Sequence, residues 1–231
     1  MRPPSIIDLA ELFYDALTRR HQPRLARVVA EYLDEIPAGG RVLDLGSGSG
    51  RIAAEVERAT AARITACDVD FGPIRHGGAS PSGGTVLGDG QALPFAPRSF
   101  AATYLVYVLH HVPDQARLLA EVRRVLAEGG RLILVEFDSA SGLVRLFRLM
   151  ARLTGRRCRF HTPGSLVELA RRAGFETEVR RLDRATFVVV GVRRGRRGGE
   201  MLTAADTVLL KHGKTVKENK RVEYKGGLIY G

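Results

Sequence analysis

Three short segments carry the residues best suited to hold a ligand. Val42, Leu43, Asp44 and Leu45 run directly into Gly46-Ser47-Gly48-Ser49-Gly50. Glycine lets a chain turn sharply off a strand and lets ligand atoms approach bare backbone. Backbone N–H groups at the start of a following helix lack intrahelical partners and face such a ligand. The spacing is Gly-x-Gly-x-Gly led by Asp44. The nicotinamide fingerprint would place its third glycine at position 51, which is Arg51. Asp68 ends the next apolar run, where a carboxylate can accept hydrogen bonds from both hydroxyls of a ribose. Asp89 and Gly90 open the segment Gly88 to Phe95, and a carboxylate there can accept from an adenine amino group. A ligand-free turn, a surface aspartate and an ordinary turn residue are the plain alternatives for the three.

Proton-transfer candidates are few. Tyr107, His110 and His111 lie at or just past a predicted strand, Tyr14 lies in the first predicted helix, and His161 precedes Thr162-Pro163. A packing role for the tyrosine and a structural role for the histidine pair are the alternatives. The six histidines show no ligand spacing, so no metal site is expected.

The elements that must position these groups follow from periodicity. Ile6 to Leu17 and Leu25 to Leu33 recur with helical spacing. Short apolar runs then alternate with helical ones. Strands are predicted at 42–45, 63–67, 85–87, 100–106, 131–137, about 176–182 and 186–192. Helices are predicted at 51–59, 114–127, 142–154 and 164–173. This alternation implies an α/β fold, a doubly wound, mainly parallel sheet. The glycine-rich stretch 72–84 predicts a loop with at most a short helical turn. Leu143, Leu146, Phe147, Met150 and Leu153 share one helical face, with Arg145, Arg148 and Arg152 off it. That segment could cover an apolar acceptor, lie on an anionic membrane, or pack in the core.

Charge and composition bound the rest. The chain has 231 residues with hydrophobic residues at 45% and charged residues at 26%, enough for a core. No apolar run approaches the roughly 20 residues of a membrane span. Two cysteines, Cys67 and Cys158, are too few for a disulfide framework, and the N-terminus lacks an apolar signal region. A cytoplasmic location is expected. The net charge of +11 is uneven: residues 1–140 sum to −2, 141–200 to +10 and 201–231 to +3. Such asymmetry points to an acidic partner or to a solvated arginine surface. All five lysines lie between Lys211 and Lys225. The expected organisation is N-terminal helices over 1–40 that cover the site, a domain over 41–194, and a basic linker and lysine-containing tail over 195–231 outside the fold.

Residues 41–192 resemble class I S-adenosylmethionine-dependent methyltransferases, closest to ubiquinone and menaquinone C-methyltransferases. The resemblance rests on Val42 to Gly50, Ala66 to Asp70, Gly88 to Phe95, Ser99-Phe100 and Val108 to Val112. It continues through Glu121 to Leu126, Glu128 to Leu132 and Ala173 to Phe175. It implies a Rossmann-like sheet of seven strands, the last antiparallel. It implies Asp44, Gly46, Ser47, Gly48 and Gly50 around the methionine part of the cofactor. Asp68 would be the ribose ligand, Val69 an adenine-packing residue, Asp89 the adenine acceptor beside Gly90, and the backbone near Leu105 and Val106 would meet the methionine end. Ala101 replaces the aspartate common in the family after the phenylalanine. The implied function is in-line methyl transfer to a small, hydrophobic or aromatic acceptor. Alignment alone can contribute about 7–11 kcal/mol to such a step, so no catalytic side chain is demanded. An RNA methyltransferase using the basic last third, and a non-catalytic cofactor-binding module, are the competing functions. No Pro-Cys nucleophile is present and aromatics stand at 6%, both against nucleic acid.

Overall fold

A computed structural model describes residues 21–70, 81–153 and 158–194. The helical stretch 6–17 with Tyr14, most of the glycine-rich loop, Arg156, Arg157 and the segment 195–231 lie outside these residues. Helix α1 covers residues 21–31. Strand β1 (Arg41–Leu45), helix α2 (Arg51–Ala59), β2 (Arg63–Asp68), β3 (Thr85–Leu87) and β4 (Phe100–Val106) follow. Then come α3 (Gln115–Val125), β5 (Leu126–Phe137), α4 (Gly142–Leu153), α5 (Pro163–Arg172), β6 (Phe175–Arg181) and β7 (Thr186–Arg193).

The strands form one seven-stranded sheet in the order β3-β2-β1-β4-β5-β7-β6. Strands β1 to β5 pair in parallel, and β7 runs antiparallel to both β5 and β6. The doubly wound reading with an antiparallel last strand therefore holds. Period-two alternation builds a separate core on each face. Leu43, Leu132, Leu134, Phe187 and Val189 meet Leu118, Leu119 and Val122 of α3 and Leu166 of α5. Val42, Ile133, Val135, Val188 and Val190 turn the other way and meet Leu25 and Val29 of α1 and Val56 of α2. A shift of one residue in any of these strands would turn apolar side chains out of both cores at once.

Strand β1 has β2 on one side and β4 on the other. The chain thus leaves β1 in one direction and returns across it, and this switch opens a crevice at the strands' carboxyl ends. Local signals set the helices around it. Asp114 caps α3 by accepting from the Arg117 N–H at 3.0 Å. Thr162 and Ser165 form a capping box on α5, with Pro163 in its first turn.

Strand β5 begins earlier than the apolar pattern predicts. Leu126 pairs with Phe100, and the ladder then skips to Ala102 opposite Arg131. The intervening chain passes Gly129 at φ 72° and Gly130, where a Cβ would meet the carbonyl of Ala127 at 2.8 Å. The two glycines allow a bulge that an alternation count reads as a turn.

The loop after β3 is clamped to α3. Glu121 accepts from the Leu93 N–H, and Arg124 donates to the carbonyls of Leu93 and Phe95 as well as to Glu121. Arg124→Ala should lower stability by on the order of 2 kcal/mol, because charged donors to two carbonyls are lost. Denaturant melts of the two proteins would measure it.

Candidate functional site

The glycine turn depends on left-handed backbone at three positions: Gly46 has φ 77°, Gly48 52° and Gly50 72°. At Gly46 a Cβ would sit 2.4 Å from the Val108 side chain, so close packing against the segment after β4 adds a second demand for glycine. At Gly48 a Cβ would meet nothing within 4 Å; it would project into open space. Helix α2 starts directly after the turn. Its N-cap, Gly50, supplies no side-chain cap, which leaves first-turn N–H groups for an anion or a polar ligand.

Asp68 closes the turn from the neighbouring strand. One carboxylate oxygen accepts from the Gly48 N–H at 2.8 Å and the other from the Asp70 N–H at 3.1 Å. Further lone pairs on the same oxygens remain open to hydroxyl donors. Val69, next in sequence, is 69% exposed, an apolar side chain standing on the rim. Asp89 is exposed on the loop after β3. The Gln91 N–H and side-chain amide bond its carboxylate and hold it below the usual aspartate range.

A cavity of about 780 Å³ gathers these elements, within the size range of small-molecule sites. Gly46, Ser47, Gly48, Asp68, Val69, Asp89, Gly90 and Val106 line it, and so do Tyr107 and His111. Asp44, Gly50 and Leu105 are buried behind that lining. Asp44 is 3% exposed, and its Oδ2 has no hydrogen-bond partner; the Ser47 hydroxyl is likewise buried and unpartnered. Burial pushes the Asp44 carboxyl up to about 7, the nearby Tyr104 hydroxyl opposes the rise, and the charge of Asp68 adds to it. Unpaired polar atoms beneath a turn, free N–H groups and an open Gly48 together fit a polar ligand with a cationic group. Burial also pushes the Cys67 thiol up to about 12, so it is no nucleophile.

The proton-transfer candidates separate. His110 is not at the cavity wall. Its Nδ1 lies 2.7 Å from Glu136 Oε2, both side chains are buried, and its ring stacks on Phe160. His111, exposed and at the wall, has Nδ1 3.6 Å from the Cys158 thiol. Tyr107 lines the wall in left-handed backbone at φ 59°, a costly conformation for a bulky residue. Its ring stacks on Phe137 at 3.9 Å and its hydroxyl bonds the Thr186 hydroxyl at 3.2 Å. Burial pushes that hydroxyl up to about 12, which removes it as a base near neutrality. His161 Nε2 donates to the Gln115 carbonyl oxygen at 2.7 Å, and Gln115 in turn donates to the carbonyls of Leu109 and Arg159. Burial lowers the His161 pKa and keeps the ring neutral.

Sequence reasoning missed Gln22, Leu25, Ile52, Gln91 and Pro113 on the wall, and Glu136 as the partner of His110. An acid inside the apolar run Leu132 to Phe137 was a readable signal for Glu136. Nothing local marked Gln22. Among the described residues no cluster of three or more possible metal ligands occurs.

The family model described as "Methyltransferase domain" matches residues 17–179. A demethylmenaquinone methyltransferase of Thermobifida fusca is 43% identical over 107 residues, 44% of this chain and 45% of that protein. The chain thus spans about half the length of that relative. A ubiquinone/menaquinone biosynthesis C-methyltransferase of Desulfotalea psychrophila is 30% identical over 190 residues, 71% of this chain and 77% of that protein. A solved structure from Thermotoga maritima, described as a possible histamine N-methyltransferase, superposes with a TM-score of 0.61 at 24% identity. It covers 80% of this chain and 98% of its own. At that identity the likeness speaks for the fold alone.

Two outcomes test this geometry. Gly46→Ala should cost more stability than Gly48→Ala, since the first adds a clash to the roughly 1–2 kcal/mol left-handed penalty that both share; chemical melts compare them. Asp44 should make the ligand-free protein lose stability with rising pH. The folded state keeps its proton up to about 7, while the unfolded chain releases it near the ordinary aspartate value. Stability is therefore fullest below about pH 4 for this group, and falls as pH rises towards and through about 7. Asp44→Asn should flatten that part of a melting-temperature profile.

Proposed function

Because the chain belongs to the methyltransferase domain family, we propose that it moves a methyl group from S-adenosylmethionine to a small, hydrophobic or aromatic acceptor of the quinol type. The observation that carries this is the meeting of the Gly46–Gly50 turn, Asp68 and Asp89 at one cavity, at the carboxyl ends of β1, β2 and β3. The quinol class is supported by the names of the two curated relatives.

S-adenosylmethionine supplies a sulfonium methyl that is already electrophilic. The protein's part is to bind, align and exclude water. Asp68 accepts from the ribose hydroxyls while the Gly48 N–H holds its carboxylate in place. Asp89 accepts from the adenine amino group, and Val69 packs on the ring. The N–H groups at the start of α2 hold the amino-acid carboxylate, with Asp44 beneath the turn as the countercharge to the amino group. His111, at the cavity wall, would take a hydroxyl proton from the acceptor as the nucleophile forms. The buried Glu136–His110 pair and the Phe160 ring fix the segment that carries His111. An in-line transfer would form the bond from the acceptor carbon to the methyl group as the methyl–sulfur bond breaks, S-adenosylhomocysteine would leave, and the methylated ring carbon would lose its hydrogen as a proton to regain aromaticity.

Calorimetric titration of S-adenosylhomocysteine into the full chain tests the cofactor half. Micromolar binding is expected, weakened at least about tenfold by Asp68→Ala and also by Asp89→Ala, which removes an exposed side chain outside the core. Transfer of labelled methyl to a reduced, unmethylated naphthoquinone tests the acceptor half. A folded protein that binds no S-adenosylhomocysteine would overturn the proposal.

A further inference from the structure

The surplus of positive charge in the last third resolves into two groups once the acids are placed. Arg172, Arg180, Arg181 and Arg194 each form an ion pair, with Glu168, Glu31, Asp138 and Glu176. Arg145 and Arg148 of α4, like the exposed Arg159 and Arg184 elsewhere, form none with any described residue. Helix α4 itself contains no acid.

The same helix turns apolar side chains outward. Val144 is 1% exposed and anchors α4 to the body, whereas Leu146 is 57% and Leu149 54% exposed. At 100° per residue Leu146 lies roughly 160° and Leu149 roughly 140° from Val144, so both point away from the anchor. Arg145 is exposed beside them. Two leucines one turn apart in water, flanked by the guanidinium of Arg145 without a counter-charge, form a surface that is both apolar and cationic; Arg148 lies roughly 40° from Val144, on the anchored side. No described side chain of α4 lines the cavity, so this face is not used by the site.

We propose that the outward face of α4 docks on an anionic lipid bilayer, with Leu146 and Leu149 entering the headgroup–acyl boundary and Arg145 meeting lipid phosphates. The two chemistries match what such a boundary offers, apolar depth under a layer of negative charge. A helix of 12 residues is too short to cross a bilayer, and no described helix is long and apolar enough to do so; it lies in the plane of the surface. Helix α4 follows β5 on the carboxyl-end side of the sheet, the side on which the cavity opens. Docking through α4 therefore brings the cavity to a membrane, where apolar acceptors partition. The inference stands on this surface and not on the identity of the acceptor.

Flotation of the full chain with vesicles tests it, using phosphatidylcholine alone and phosphatidylcholine with about a third phosphatidylglycerol. The unaltered protein should float with the anionic vesicles. Leu146→Gln/Leu149→Gln should weaken that binding by about tenfold, and Arg145→Gln should reduce the preference for anionic vesicles. S-adenosylhomocysteine affinity, measured on the same variants, should stay within about twofold of the unaltered protein, which separates this surface from the cofactor reading. Failure of the unaltered protein to float with anionic vesicles would overturn the proposal. So would flotation that ignores the leucine pair, since binding would then belong to basic residues elsewhere. Competition by RNA that leaves the leucine variant as effective as the unaltered chain would also count against it.

Discussion

The bond from the Gly48 N–H to Asp68 joins two strands at the point where a ligand must enter. It fixes a backbone turn that has no side chains of its own to hold it. It also places a carboxylate at a set distance from the first turn of α2. The parallel pairing of β1 with β2 sets the register that makes this contact, with Asp44 opposite Ala66 and Leu45 opposite Cys67. Both cores lock that register, because Leu43, Leu45 and Cys67 face one of them and Val42 and Ile64 the other. The geometry of the nucleoside end is therefore a property of the sheet rather than of the loop.

The other end of the cavity is built differently. It rests on buried polar groups: Glu136 with His110, and Gln115 with His161 and two carbonyls. These groups satisfy one another, and so a loop chain of mixed polarity can sit at the sheet's edge without leaving buried donors unpaired. Under the glycine turn Asp44 Oδ2 and the Ser47 hydroxyl are unpartnered, as are buried side-chain atoms of Thr85, Thr103, Tyr104, Arg123 and Arg193. A ligand with its own charges could complete the two under the turn.

Much of this was legible in the sequence. The alternating strands and helices of a doubly wound sheet were legible because apolar periodicity is a local record of burial; the antiparallel last strand followed from the resemblance, and the strand order emerged only in the structure. Asp68 and Asp89 were legible because each ends or follows a recognisable strand. The pairing of His110 with Glu136 was not, since it joins residues 26 positions apart across two strands. The early start of β5 was hidden by Gly129 and Gly130, which read as a turn and serve as a bulge. The outward leucines of α4 were invisible for a further reason. An amphipathic pattern records that a helix has two faces, and only packing decides which of them is covered.

Tyr107 marks the seam between the two ends. Its backbone is held in a left-handed turn while its ring is gripped by Phe137 and its hydroxyl by Thr186. The strain is carried by contacts that run back into the sheet, so the chain emerges from β4 in one fixed direction. Everything before that residue belongs to the half shaped by strands and bare backbone. After it, Val108, His111, Val112 and Pro113 present side chains to the cavity, while Leu109 and His110 turn into the core. The cavity is therefore modular within residues 21–194: side chains beyond the seam can be exchanged without disturbing the strand register that holds the glycine turn.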